Sequence, residues 1–176
     1  LRAMIRDLKA AQPYDTIEVL HPAAIVNHQA LNEQAAAAAA RLGMEFRPAP
    51  VKEIGRVIEK VQQKYEGNFR KIADVARTGL TADSIADADA FVADLAQRFD
   101  LVDEGWHVTA EGYFDRKLIV IFEDGQLGEI QIWPPGMLAA KEERGGHKLY
   151  EIARDEAQSD EARAQAVADM RTLYAE

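Results

Sequence analysis

Residues 117–133 read KLIVIFEDGQLGEIQIW. Lys117 to Phe122 is short, apolar and β-branched, the profile of a buried strand. Asp124-Gly125 is a hairpin turn signal, and Leu127 to Trp133 is the returning strand. Side chains on a strand alternate with period two, so Ile130 and Ile132 share a face with Gly128 while Glu129 and Gln131 share the other. A carboxylate in the middle of an apolar strand is costly to bury unpaired. Two readings follow. Either this is a solvated face of an antiparallel sheet, or it is the wall of a cleft with Glu129 as general base or metal ligand.

Helical patterns surround this hairpin. Leu1 to Ala10 carries Met4, Ile5 and Leu8 at helical spacing. Pro22 suits the first turn of a long helix reaching Leu42, with Gly43 to end it. Ala35 to Ala40 lie within it and predict a thin, closely packed helix. Arg47-Pro48-Ala49-Pro50 reads as extended. Val51 to Tyr65 is amphipathic, with Ile54, Val57, Ile58 and Val61 as its apolar stripe. Phe69 to Ala76 reads as helical and Thr78 to Ala82 as extended. Asp83 or Ser84 caps a helix to Phe99, with Ile85, Ala88, Val92 and Leu95 inward. Leu101-Val102 and Trp106-His107-Val108 are two short strands. Met137 to Arg154 is a helix interrupted at Gly145-Gly146, and Ala162 to Tyr174 is another. The expected fold class is α+β, a central mixed sheet flanked by helices.

The chain has 176 residues and a formal charge of −9, which suits one globular domain. The acid excess argues against nonspecific nucleic-acid binding. Cysteine is absent, which excludes disulfides and thiolate metal sites. No apolar run spans a bilayer. The first residues lack both an initiator Met and a signal-peptide pattern, as expected of a piece cut from a longer chain.

Several residue groups can carry chemistry. Lys52, Arg56, Lys60 and Lys64 recur every four residues and form one slanting cationic row on a helix. Such a row is either a solvated face or a seat for a triphosphate. Asp74 and Arg77 lie at a helix-to-strand junction. Tyr113, at the mouth of the KLIVIF strand, either packs or stacks on a base. His147 and Tyr150 lie one turn apart. No phosphate-binding glycine loop, zinc-protease motif or nucleophile elbow is present.

Taken in order, these pieces resemble the synthetase domain of the RelA/SpoT alarmone synthetases, in the compact form found in phage-associated and toxin proteins. VKEIGRVIEK is similar to the family's phosphate-binding helix, KIADVART to its metal-binding segment, GYFDRKLIV to its G-Y-R segment, GEIQIW to its E-[IV]-Q-[IL] strand and GGHKLYE to its H-K-x-Y-E signature. The resemblance covers residues 46–154, between an N-terminal helical region (1–45) and a C-terminal helix (155–176). It implies a nucleotidyltransferase-like fold. It also implies transfer of pyrophosphate from ATP to the 3′-hydroxyl of a purine nucleotide, GDP/GTP or ADP/ATP, giving (p)ppGpp or (p)ppApp. Asp74 and Glu129 are the implied catalytic and Mg2+-binding carboxylates. Lys52, Arg56, Lys60, Lys64, Arg77, Tyr113, Lys117, Gln131, His147 and Tyr150 are the implied nucleotide contacts. Pro50, Gly79 and Phe114 stand where the family usually has basic residues, and Arg47, Arg56 and Arg77 are the candidates to replace them. A toxin role would add an immunity protein as partner and a cytoplasmic site of action after delivery by a secretion system. Two alternatives remain: a catalytically degenerate nucleotide-binding or structural domain, and a pyrophosphokinase toxin acting on the tRNA 3′ end, against which the charge speaks.

Overall fold

The computed structural model describes residues 12–142, 145–155 and 157–175; the expected helix Leu1 to Ala10 lies outside them. The described chain runs α1 (Ile17–Arg41), β1 (Glu45–Phe46), α2 (Ile54–Lys64), a 3-10 turn (Phe69–Lys71), β2 (Ala76–Thr81), α3 (Ile85–Leu95), β3 (Asp100–Val108), β4 (Phe114–Ile121), β5 (Leu127–Trp133), α4 (Met137–Glu142), α5 (Gly146–Arg154) and α6 (Asp160–Ala175). The five strands form one mixed sheet in the order β1-β2-β5-β4-β3. β2 and β5 are parallel, and the other neighbouring pairs are antiparallel. No helix among the described residues is long and apolar enough to cross a membrane.

The two sheet faces have different chemistry because strand side chains alternate. One face carries Leu80, Leu118, Val120, Ile130 and Ile132, all buried beneath Leu20, Leu31 and Ala35 of α1 and Phe91 and Leu95 of α3. Ala35, Ala38 and Ala39 are fully buried, so the alanine run is the thin packed helix its composition predicts. Arg116, on this same face, bridges Asp89 of α3 and Asp103 of β3 and ties the helix to the sheet edge. The opposite face, with Arg77, Glu129, Gln131 and Lys117, is left to the site.

Several expectations change. α1 starts at Ile17, so Pro22 lies inside it rather than in its first turn. Pro22 has no N–H to offer the Glu18 carbonyl one turn back, and Glu18 is an exposed residue. The segment read as a helix from Phe69 to Ala76 is only a 3-10 turn. Asn68 draws its side-chain oxygen onto the Arg70 N–H there, and the buried Gln12 amide donates to the carbonyls of Phe69, which also accepts the Ile72 N–H, and Ile72. β2 begins at Ala76 because that residue already pairs with Gly128. α3 stops at Leu95, and Ile85 is exposed, not inward. The two short strands before the hairpin are one strand, β3, with an irregularity between Asp103 and Gly105. Gly105 takes φ 76°, a conformation that favours glycine, and its N–H is held by Asp103.

A cationic cleft over one face of the sheet

The polar face opens into a cleft of about 760 Å3. Strands β2, β4 and β5 form its floor, α2 and the segment before it one wall, and α5 and α6 the other. Register sets the floor. Arg77 pairs with Glu129 across the parallel β2–β5 ladder, and Lys117 pairs with Gln131 across β4–β5. Adjacent strands lie about 4.8 Å apart, so these four side chains share one small area.

The first wall differs from expectation in two respects. α2 begins at Ile54, so Lys52 precedes it on extended chain. Its N–H donates to the Val75 carbonyl, which fastens the lead-in to the start of β2. The His21 ring nitrogen meets the Lys52 carbonyl at 2.9 Å and that of His28 meets the Ala49 carbonyl at 2.7 Å, so α1 braces the same segment. Arg56, Lys60 and Lys64 continue from the helix, and all four cations line the cleft. Ile54, expected in the apolar stripe, is half-exposed; Val57 and Val61 are the buried residues.

Asp74 stands immediately before β2 and is buried. One carboxylate oxygen, Oδ2, accepts from the ammonium groups of Lys52 at 2.9 Å and Lys60 at 2.6 Å. The other, Oδ1, is buried and has no hydrogen-bond partner. Burial alone would raise this carboxyl's pKa, but the two ammonium charges overcome it and hold the pKa down to about 2. The lysines respond unequally. Burial lowers Lys52, which is also repelled by Lys60 and Arg77. Lys60 is buried too, yet Asp74 on its shorter bond, with help from Glu129, raises it. Asp74 and Glu129, 55 positions apart in sequence, both line this cleft beside Lys60.

The far end is aromatic. The Tyr113 hydroxyl donates to Asp115 Oδ2 at 2.9 Å and accepts the Trp133 indole N–H at 2.7 Å. Gln131 donates to the same Asp115 oxygen at 3.0 Å. Burial, with Asp115 nearby, pushes the Tyr113 phenol well above its usual range. Lys141 of α4 places its ammonium 5.8 Å from the Tyr113 ring centroid and 5.4 Å from that of Trp133. Trp133 lies across Gly79, where a Cβ would come within 2.3 Å of the indole. Position 79 therefore admits no side chain while that ring is in place.

Lys52, Arg56, Lys60, Lys64, Asp74, Arg77, Tyr113, Lys117, Glu129, Gln131 and Tyr150 all line this cleft. The side chain of His147 lies outside what is described, although its backbone is in α5. Arg47 is not among the lining residues and pairs with Glu45 at 2.7 Å. Asp115, Trp133, Lys141, Arg154 and Tyr174 escape sequence reasoning. Asp115 has the strand parity of Lys117 and becomes visible once β4 is started at Phe114. Trp133 has the parity of Glu129 and Gln131 on the same strand; Lys141, Arg154 and Tyr174 are brought in by tertiary packing alone.

No protein-family profile and no curated protein matches the sequence. Solved structures do. The Type VI effector Tas1, solved with its immunity protein, superposes with a TM-score of 0.70 and 24% identity, over 90% of this chain and 94% of that one. A GTP pyrophosphokinase family protein from Streptococcus pneumoniae gives 0.61 at 19% identity, over 86% and 84%. The small alarmone synthetase 1 from Bacillus subtilis gives 0.59 at 18% identity, over 86% and 88%; it has also been solved with its product pppGpp and with AMPCPP. Five strands in a mixed sheet, helices on both faces and a cleft over the polar one: this chain has the fold of the small alarmone synthetases.

Proposed function

We propose that the chain is a nucleotide pyrophosphokinase that moves the β,γ-pyrophosphate of ATP to the 3′-hydroxyl of a purine nucleotide. One observation carries the reading: Asp74 and Glu129 face a single cleft beside Lys52 and Lys60. The relatives named pyrophosphokinase and alarmone synthetase support it.

Phosphoryl-type transfer leaves little covalent work to a protein, so positioning and charge neutralisation dominate. Lys52, Arg56, Lys60 and Lys64 would hold the donor's phosphates. The acceptor hydroxyl attacks the β-phosphorus, the bond from that phosphorus to the α,β-bridging oxygen breaks, and AMP leaves. Glu129 takes the hydroxyl proton as general base. Tyr113 offers its ring to the acceptor base, with Lys117 and Gln131 beside it.

A magnesium ion fits this cleft. It binds through one or two carboxylates and substrate phosphates while keeping several waters. The unpartnered Asp74 Oδ1 is such a donor, and Glu129 is the second carboxylate. When bound, the ion would neutralise charge on the transferring phosphates.

The test is incubation with ATP, magnesium and GDP, GTP or ADP in turn, read by chromatography. A 3′-pyrophosphorylated product is expected, with a loss of about 100-fold or more in Glu129→Gln. Absence of product with every acceptor, or full activity in Glu129→Gln, overturns the proposal. A toxin role, with an immunity protein as partner and delivery into another cell's cytoplasm, is favoured by the likeness to Tas1. Its check is growth arrest on cytoplasmic expression, relieved by Glu129→Gln.

A further inference from the structure

We propose that Tyr174, on the last helix, is the second aromatic wall of the acceptor-base subsite and makes α6 a determinant of acceptor recognition. The inference rests on the two-nucleotide reading of the cleft and deepens it. Tyr174 and Tyr113 line the same cavity. Their ring centroids are 5.7 Å apart and the planes meet at 63°, so the two rings make a corner. A planar base lying flat on one ring turns its edge toward the other, the edge-to-face contact that π systems favour.

Glycines lie beside this tyrosine: a Cβ on Gly112 would sit in ordinary contact with the Tyr174 Cβ at 3.4 Å, and one on Gly146 would meet its hydroxyl oxygen at 2.3 Å and the Ala140 carbonyl at 2.8 Å. Gly112 directly precedes Tyr113, and Gly146 opens α5. The segments carrying Gly112-Tyr113 and Gly146 thus both lie against Tyr174 at the aromatic end of the cleft. The phenol is held protonated, since burial and then Glu111 raise its pKa. A neutral ring suits a stacking or edge contact with a base.

The experiment compares Tyr174→Leu and Tyr174→Phe with wild type, using ATP as donor and GDP or ADP as acceptor. Base–aromatic contacts lead us to expect an acceptor KM raised about tenfold in Tyr174→Leu, with the KM for ATP and the melting temperature little changed. Tyr174→Phe, which keeps the ring, is expected to recover most of the acceptor affinity. Calorimetric titration of GDP and ADP into the same three proteins reads the effect without turnover, so failure of the catalytic reading is seen separately in the wild-type assay. Equal rises in both KM values, a fall in kcat alone, or unchanged acceptor binding in Tyr174→Leu would overturn the inference.

Discussion

Asp74→Asn keeps the shape of the buried side chain and removes its charge. Lys52 and Lys60 then stand with their ammonium groups close together and no carboxylate between them, where the native distances to Oδ2 are 2.9 and 2.6 Å. Lowering the carboxyl pKa from 3.8 to about 2 corresponds to about 2–3 kcal/mol, at about 1.36 kcal/mol per pH unit. Breaking a buried pair costs about 3–5 kcal/mol in well-enclosed cases. Here the lysines keep 13% and 23% of their side-chain surface in solvent, so the lower figure is the appropriate one. A loss of about 2–3 kcal/mol lowers the melting temperature of a chain this size by roughly 4–12 °C. The sign with pH follows from the direction of the shift. The folded carboxyl titrates below the unfolded one, so its contribution is complete above about pH 4 and disappears as pH falls toward 2. Urea denaturation of both proteins from pH 7 down to pH 2.5 is the assay. The stability gap should narrow below pH 4, and adding Lys52→Met to Asp74→Asn should restore part of it, because only one ammonium then remains. A variant as stable as wild type at pH 7, or a gap indifferent to acid, would refute this account.

Asp115→Ala removes the acceptor shared by Tyr113 and Gln131; a loss of about 2 kcal/mol in stability is expected, with a raised acceptor KM, while Asp115→Asn should be milder in both. Gly79→Ala drives a methyl group into Trp133 and should destabilise by about 1–3 kcal/mol, measured by thermal melting; Gly79→Ala with Trp133→Leu should recover part of the loss. Tyr113 is expected to stay protonated in alkali while the chain is folded, so the tyrosinate absorbance of Tyr113→Phe should match wild type up to the onset of unfolding.

The polar floor of the cleft was legible in the hairpin because a strand's alternation is a local property. GEIQIW therefore placed Glu129 and Gln131 opposite Ile130 and Ile132 without any tertiary information. The cationic residues were legible as a spacing, but the spacing was assigned to one helix. Lys52 precedes α2, and it joins the row because the Val75 carbonyl and His21 of α1 hold its backbone. Phe69 to Ala76 misled because a helical pattern says nothing of Gln12, whose amide binds the Phe69 and Ile72 carbonyls from far away in sequence, or of Gly128, which pairs with Ala76. Asp115 was hidden by placing the start of β4 at Lys117. Tyr174 and Lys141 had no local signal, since what gives them a place is the packing of α4 and α6 against residues far away in sequence.

The indole of Trp133 over the bare backbone of Gly79 has a consequence for descent as well as for packing. A basic side chain at position 79 can be acquired only after the tryptophan has been exchanged for something smaller. That first exchange would also strip the Tyr113 hydroxyl of its indole donor. The two positions are thus coupled, since relieving the crowding at 79 by shrinking residue 133 would unpair Tyr113.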